Sequence, residues 1–141
     1  MRGPERGLSL LEVLAALAVV AIVLGLALPS WQRSLAMQDL RYGTERLATD
    51  LREAQERAKA ERKPYTVTLT EGSSTYWMRR SGGGFDHKGE FPRGLVPTAD
   101  VTVTFDAFGK PDATYTIQLR NRAGTGIVRV SRAGGIEVEL P

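Results

Sequence analysis

The stretch RGLSLLEVLAALAVVAIVLGLALPSW, residues 6–31, decides how the chain is organised. Residues 8–28 form an apolar run that, at about 31 Å of helix, is long enough to cross the hydrocarbon core of a bilayer. Arg2 and Arg6 precede the run, and no basic cluster follows it immediately. Because positive charge tends to stay on the cytoplasmic side, we expect a cytoplasmic N-terminus and an extracytoplasmic C-terminal part.

An acidic residue, Glu12, lies near the start of this apolar run. A carboxylate inside a membrane helix costs about 2.5–3.5 kcal/mol at the bilayer centre, so its presence points to a function. A secretory signal peptide would have a shorter apolar region without an acid, and Ala27-Leu28-Pro29 matches its cleavage site poorly. An ordinary signal anchor explains the length but not Glu12. A cut between Gly7 and Leu8 would give the acid a partner, the amino terminus of a neighbouring copy, and this suggests a membrane-stored subunit that packs into a polymer.

The segment Arg6-Gly7-Leu8-Ser9-Leu10-Leu11-Glu12-Val13-Leu14 resembles the class III signal of type IV prepilins and pseudopilins. The resemblance implies that a membrane-bound prepilin peptidase cuts after Gly7 and N-methylates Leu8, where the family usually has phenylalanine. It also implies an assembly role for Glu12, the fifth residue after the cut. Pro29 matches a proline that is typical of the family at this distance, and it is included among the assembly residues.

The pattern changes twice beyond the apolar run. Apolar residues at helical spacing predict an amphipathic helix to about Arg62, with charged side chains on a solvated face. Pro64 then begins a region of strand patterns over residues 65–69, 75–79, 101–105, 114–119, 127–131 and 136–140, with a loop over 81–97. Glycines 124, 126, 134 and 135 are expected to mark connections.

Together with the resemblance, these patterns predict an α+β, type IV pilin-like fold. A long N-terminal helix, transmembrane in its first half, is expected to pack on an antiparallel β-sheet domain. The expected divisions are a prepilin leader (1–7), a transmembrane and filament-core helix (8–28), an amphipathic continuation (29–63) and a β-rich periplasmic globular domain (64–141).

Two later stretches, Val103-Thr104-Phe105-Asp106-Ala107-Phe108-Gly109-Lys110 and Gly126-Ile127-Val128-Arg129-Val130-Ser131-Arg132-Ala133-Gly134, carry a second resemblance. They are similar to the H-type minor pseudopilins of type II secretion and their minor-pilin relatives, the GspH/FimT-like family. This implies a non-enzymatic subunit of the type II secretion pseudopilus, anchored in the inner membrane and supporting protein export. The implied partners are the prepilin peptidase, other major and minor pseudopilins, the inner-membrane assembly platform and membrane lipid, with secreted cargo as a further candidate.

Two alternatives stay open. The first is a minor, FimT-like type IV pilin in adhesion, motility, pilus assembly or DNA uptake, which would share the fold and the processing. The second is a plain signal-anchored periplasmic binding domain, which predicts an intact leader.

The sequence indicates no catalytic, cofactor or metal site. There is no cysteine, and His87 is the only histidine, in a Gly-rich segment where a solvated surface residue is the ordinary interpretation. Gly82-Gly83-Gly84 lacks the following Lys-Ser/Thr of a phosphate loop. Asp100, Asp106 and Asp112 match no calcium-loop spacing and are better explained by turns.

Nucleic acid is the remaining ligand class to weigh. Arg120, Arg122, Arg129 and Arg132 lie close in sequence and are weak candidates for phosphate contacts. DNA-uptake relatives carry a C-terminal Gly-Arg-x-Arg motif, whereas the corresponding Gly135-Ile136-Glu137-Val138-Glu139 has carboxylates that repel phosphate. The net charge of +3, from 19 Lys+Arg and 16 Asp+Glu, is also too small to indicate a nucleic-acid binder. The sequence therefore argues against DNA as a partner.

Overall fold

The structure is a computed structural model that describes Gly7 and residues 9–141. In this part of the chain, helix α1 covers Leu10–Glu61 and eight strands follow it. They are β1 Tyr65–Leu69, β2 Thr75–Arg80, β3 Asp86–Glu90, β4 Val96–Pro97, β5 Val101–Phe105, β6 Tyr115–Asn121, β7 Gly124–Val130 and β8 Ile136–Glu139. The chain divides into two compact units, one that ends at Ser34 and one that covers Leu35–Pro141.

The first unit contains the apolar beginning of α1. Every residue from Leu10 to Ser34 is solvent-exposed, and the exposed fractions of Leu10, Leu26 and Trp31 reach 78%, 75% and 69%. By length and composition, α1 can cross a membrane. An apolar surface of this extent requires a cover of lipid or protein.

The second unit contains two antiparallel four-stranded sheets, ordered β3-β2-β1-β5 and β4-β6-β7-β8. Burial alternates along the central strand β1, where Tyr65, Val67 and Leu69 are buried and Thr66 and Thr68 are only partly so. This alternation is expected for a sheet with one face on the core, because successive side chains point to opposite faces.

The part of α1 that belongs to the second unit supplies one side of the core. Its buried residues recur at spacings of three and four, as expected for an amphipathic helix. They are Ala36, Leu40, Gly43, Thr44, Leu47, Ala48, Asp50, Leu51, Ala54 and Ala58. Leu47 and Leu51 are fully buried in one hydrophobic cluster with strand residues such as Val67, Phe105 and Val128. The prediction of a long N-terminal helix packed on an antiparallel sheet domain is therefore confirmed.

The helix ends one residue earlier than predicted. Arg62 has a φ of 55°, in the left-handed region that commonly terminates helices. Pro64 then disfavours the helical conformation for the residue before it. Strand β1 begins directly afterwards, at Tyr65.

Two short strands lie in the segment that the sequence predicts to be a loop. Strand β3 has the sequence DHKGE and pairs with β2, while β4 consists of Val96 and Pro97. Both lie at sheet edges, where charged residues and proline are tolerated and the apolar alternation of a central strand is not needed.

Gly124 and Gly126 belong to β7, although the sequence suggests a connection there. Gly126 is buried against the helix, and a Cβ atom added to it would lie 3.3 Å from Thr44 Cβ and still closer to the Thr44 hydroxyl. The glycine therefore permits a close approach of strand and helix, which is the ordinary reason for glycine inside a strand.

Gly43 gives a direct test of this close packing. A Cβ atom at position 43 would overlap the Leu95 side chain and lie 2.9 Å from Pro92 Cδ. We expect Gly43→Ala to destabilise the fold by about 2 kcal/mol and to lower the melting temperature of the detergent-solubilised chain by about 8–16 °C. Gly25→Ala in the same helix is the control, since a Cβ there meets nothing within 4 Å. A Gly43→Ala chain that melts at or above the wild-type temperature would contradict the close packing.

Candidate assembly site

The helix begins with a capping arrangement that includes Glu12. The Ser9 hydroxyl accepts a hydrogen bond from the Glu12 backbone N–H at 3.2 Å, and the Ser9 carbonyl accepts one from Val13 N at 3.1 Å. Ser9 is thus the N-cap, and Glu12 occupies the third helical position, where the Ser-x-x-Glu sequence signature places an acid. The Glu12 carboxylate is solvent-exposed and lies in the first helical turn, where the helix dipole favours a negative charge.

The structure describes only part of the predicted processing site. Gly7 is exposed and has no atom within 4 Å of a Cβ built on it. Leu8, the predicted first mature residue and methylation site, lies outside the described residues, as do residues 1–6 of the predicted leader. Cleavage and methylation therefore stay predictions.

Pro29 lies inside α1, which continues through it. The hydroxyl of the next residue, Ser30, donates to the Ala27 carbonyl at 2.9 Å. Proline removes one helical N–H donor, so a side-chain hydroxyl beside it adds a local bond where the backbone ladder is interrupted. Trp31 is exposed two residues after Pro29, and tryptophan is a residue type that favours a membrane–water boundary.

Polar contacts fasten the second-unit part of α1 to the turns and strand ends of both sheets. Gln55 Nε2 donates to the carbonyl oxygens of Gly109 and Gly134, at 2.9 and 3.0 Å. Arg52 Nη2 donates to the Ile136 carbonyl at 3.1 Å. One amide group thus ties a turn after β5 and a turn before β8 to the same helical position.

A buried carboxylate on the helix was not anticipated from the sequence. Asp50 is only 6% exposed, and it accepts a short hydrogen bond from the Tyr76 hydroxyl of β2. Arg46 Nε lies 4.0 Å from the same carboxylate oxygen, Asp50 Oδ2, and Arg46 Nη1 donates to the Tyr42 hydroxyl at 3.2 Å. We call Tyr42, Arg46, Asp50 and Tyr76 the Asp50 cluster. Burial, and secondarily the bond to Asp50, raises the pKa of Tyr76 above its ordinary value.

The Asp50 cluster could have been recognised from two periodicities. Asp50 lies on the same helical stripe as Leu47, Leu51 and Ala54, although sequence reasoning placed it among the surface charges. Tyr76 occupies an inward position of an alternating strand. A charged residue on the apolar stripe of a helix and a hydroxyl at an inward position of a strand together indicate a buried pair, because a buried charge requires a partner.

A second ion-pair group closes the C-terminal end of the helix. Glu61 accepts from Arg80 Nη1 at 2.7 Å and from the Tyr65 hydroxyl at 2.8 Å. The bond from Arg80, and then that from Tyr65, lowers the pKa of Glu61. Arg57 lies over the Phe85 ring at 4.5 Å from its centroid and pairs with Glu53 at 2.8 Å. These contacts stabilise the helix end and the β2–β3 hairpin.

The four candidate phosphate-binding arginines do not converge on one surface. Arg129 forms an ion pair with Glu139 at 3.0 Å and lies opposite Glu137 across the β7–β8 pairing. The residue opposite Arg129 in β6 is Thr116, and Arg120 is four residues further along that strand, about 13 Å away. Arg122 lies in the β6–β7 turn and Arg132 in the β7–β8 turn, at opposite ends of β7. Arg120 and Arg122 therefore lie near one end of the β6–β7 hairpin, away from Arg129 and Arg132.

Among the residues that the structure describes, no group of three or more His, Asp or Glu side chains could hold a metal ion. Two of the aspartates considered above take part in turns. Asp106 Oδ1 accepts from the backbone N–H groups of Phe108 and Lys110, at 2.8 and 2.9 Å. Asp100 Oδ1 accepts from Glu71 N at 2.7 Å.

Comparisons with known proteins agree with this geometry. Residues 2–28 match the prokaryotic N-terminal methylation motif. A comparison with curated protein sequences finds none that is significantly similar.

Two crystal structures of the type IV minor pilin FimU from Pseudomonas aeruginosa strain PAO1 share the fold. The form in space group P21 has a TM-score of 0.59 and 18% identity, covering 72% of this chain and 89% of FimU. The form in space group P65 has a TM-score of 0.55 and 19% identity, covering 71% of this chain and 92% of FimU. The chain therefore has the fold of type IV pilins and carries an N-terminal methylation motif at its start.

Proposed function

We propose that this chain is a non-catalytic minor subunit of a type IV pilin-like filament. The observation that carries the proposal is the exposed apolar helix beginning at Leu10, with Glu12 in its first turn. A surface of this kind needs lipid before assembly and neighbouring subunits after it. The match to the methylation motif over residues 2–28 supports the same interpretation.

The mechanism follows from the chemistry of the helix start. The precursor inserts into the inner membrane with its leader in the cytoplasm and its β-rich domain outside. Prepilin peptidase cuts after Gly7 and methylates the Leu8 amine, which stays cationic. Glu12 then pairs with the Leu8 amine of a neighbouring subunit, while the apolar residues exchange lipid for adjacent helices. In this scheme Pro29 interrupts the backbone ladder near the membrane boundary and lets the helix adjust to its neighbours.

The filament we propose first is the type II secretion pseudopilus, with this chain as an H-type minor pseudopilin. The support is the resemblance of Val103–Lys110 and Gly126–Gly134 to that family. In the fold, the first stretch ends in a turn closed by Asp106 and Gly109, whose φ is 74°. The second stretch covers most of β7 and the turn to β8. The partners would be the other pseudopilins, the inner-membrane assembly platform and secreted cargo.

The second candidate is a minor subunit of a type IV pilus. The likeness to FimU, itself a type IV minor pilin, favours this alternative. The separation of the candidate arginines and the Arg129–Glu139 ion pair speak against a DNA-binding role within it.

A strain that lacks the gene distinguishes the type II secretion pseudopilus from the type IV pilus. For the first candidate, the deletion should remove a defined set of folded exoproteins from the medium, and the wild-type gene should restore them. A Gly7→Asp gene is the matched control: its product should stay unprocessed in the membrane and restore nothing. An unchanged secretome with lost motility or DNA uptake would favour the pilus. Full complementation by an uncleaved Gly7→Asp chain would contradict both candidates and favour a plain signal-anchored domain.

A further inference from the structure

An exposed phenylalanine marks a surface of the second unit that the fold itself does not use. Phe108 lies in the turn between β5 and β6, and its exposed fraction is 70%. Asp106 Oδ1 fixes this turn by accepting from the backbone N–H groups of Phe108 and Lys110, at 2.8 and 2.9 Å. Gln55 of the helix also donates to the Gly109 carbonyl at 2.9 Å. The aromatic ring is therefore presented to solvent by a turn whose backbone is held in place.

Basic side chains from the end of helix α1 lie beside this ring. The Arg62 guanidinium carbon is 5.5 Å from the centroid of the Phe108 ring. A Cβ atom added to the residue after Phe108 would lie 2.6 Å from Lys59 Cε, so the Lys59 side chain runs along the turn. Lys63 follows Arg62 in the chain, and Lys110 belongs to the turn itself. We define the Phe108 patch as Lys59, Arg62, Lys63, Phe108 and Lys110.

The Phe108 patch concentrates positive charge. Of its four cations, Lys59 forms an ion pair with Glu56 at 2.8 Å. The other three are exposed, and none of them forms an ion pair with a residue that the structure describes. The cations exceed the two neighbouring carboxylates, Glu56 and Asp106, by two charges, whereas the whole chain has a surplus of only three. The patch is thus a local basic surface, and it calls for an anionic partner.

The composition of the Phe108 patch matches a protein interface. Aromatic residues and arginine are enriched in interface cores and among the residues that contribute most to binding, whereas lysine is depleted there. Phe108 and Arg62 therefore fit the core of a contact, and the three lysines fit its rim, where charges steer the partner. Nucleic acid fits less well, because the Asp106 carboxylate lies two residues from Phe108 and repels phosphate groups beside the ring.

A second copy of this chain offers no acidic counterpart to the patch. Most acidic side chains of the second unit already form ion pairs or hydrogen bonds with other residues. Within the part of the chain that the structure describes from residue 35 onward, the exceptions are Asp39, Glu45, Glu71 and Glu137. They are distributed over helix α1, the β1–β2 turn and β8, so they form no acidic cluster on one element. A different protein is therefore the better partner.

From these observations we propose that the Phe108 patch binds an acidic segment of a different subunit of the filament. An apolar side chain of the partner covers the Phe108 ring, and partner carboxylates accept charge-assisted hydrogen bonds from Arg62 and the lysines. This inference rests on the proposed filament function and adds to it the surface and the chemistry of one partner contact.

The first test is incorporation of the full processed chain into filaments. Phe108→Ala and the double variant Arg62→Glu/Lys110→Glu should each reduce the amount of subunit in sheared filaments by about tenfold or more. Because these side chains are exposed, the melting temperature of the detergent-solubilised chain should stay within about 4 °C of the wild type. Arg120→Glu/Arg122→Glu is the matched control, since it reverses two exposed arginines outside the patch and should leave incorporation unchanged.

The second test identifies the partner. Phe108 is replaced by the photoreactive aromatic p-benzoylphenylalanine, and the cross-linked peptides from assembled filaments are sequenced by mass spectrometry. We expect cross-links to an acidic segment of another filament subunit. Replacing the acids of that segment by lysine should then restore incorporation of the Arg62→Glu/Lys110→Glu chain, because the charges are exchanged across the contact.

Wild-type incorporation of Phe108→Ala and of Arg62→Glu/Lys110→Glu would overturn the proposal. So would cross-links confined to a second copy of this chain, to a secreted protein or to nucleic acid, and so would a charge exchange that restores nothing. If the wild-type chain itself does not enter filaments, the proposed function on which this patch depends is wrong instead.

Discussion

Replacing Glu12 by alanine should reduce incorporation of the subunit into filaments at least tenfold while leaving cleavage after Gly7 intact. Close charge pairs in interfaces couple by about 1.5–7 kcal/mol, so we expect incorporation to fall at least tenfold, by roughly the 1.4 kcal/mol that this factor requires. Membrane insertion should not be impaired, because removing a carboxylate from a membrane helix lowers the free-energy cost of inserting it. The measurement is the amount of subunit in sheared filaments, with mass spectrometry of the N-terminal peptide to confirm cleavage and methylation.

The hydrogen bond from Glu12 N to Ser9 Oγ supplies the control for this experiment. Ser9→Ala removes an N-cap, worth about 1 kcal/mol of helix stability, but keeps the carboxylate. Glu12→Gln keeps the size and the capping sequence but removes the charge. If the carboxylate acts in assembly, Glu12→Gln should fail as Glu12→Ala does, and Ser9→Ala should assemble. The opposite order would mean that Glu12 acts only at the start of its own helix.

Much of the fold could be predicted from the sequence, because burial imposes periods that are visible in it. The apolar run and the stripe through Leu40, Leu47 and Leu51 predicted one long helix, and the alternation in β1 and β5 predicted core-facing strands. Strands β3 and β4 were missed because both lie at sheet edges. Charged residues and proline are tolerated there, so their sequences lack the apolar alternation of a central strand.

The distribution of charge was harder to predict than the fold. Arg120 and Arg132 are close in sequence, but the β6–β7 hairpin separates them, so proximity along the chain gave no surface patch. Asp50 was grouped with the solvated charges because a helix presents charged residues on several faces, and only the stripe to which it belongs distinguishes it.

Tyr76→Phe should be one of the most destabilising single substitutions in the second unit, because it removes the hydroxyl that donates to the buried Asp50 carboxylate. Arg46 stays 4.0 Å away and cannot replace a direct hydrogen bond. Leaving a buried charge short of its partner costs about 3 kcal/mol, which corresponds to a fall of about 12–24 °C in melting temperature. The matched control is Tyr115→Phe, since the Tyr115 hydroxyl donates to Asp112 at 2.6 Å in an exposed setting. We expect that control to cost about 0.5 kcal/mol.

The raised pKa values of the two tyrosines predict how the free energy of unfolding changes at alkaline pH. Burial, and then the bond to Asp50, raises the pKa of Tyr76, while burial and the bond to Asp112 raise that of Tyr115 to about 12. A raised pKa contributes stability that is fully present below the unfolded value of about 10 and is lost as pH rises above it, because only the unfolded chain then releases the proton. For Tyr76 the loss is about 1.4 kcal/mol per pH unit, so Tyr76→Phe should flatten the decline in urea stability above pH 10 by this amount. A wild-type slope in the Tyr76→Phe chain would mean that this phenol ionises equally well in both states, and the Asp50 cluster would then not be a buried pair.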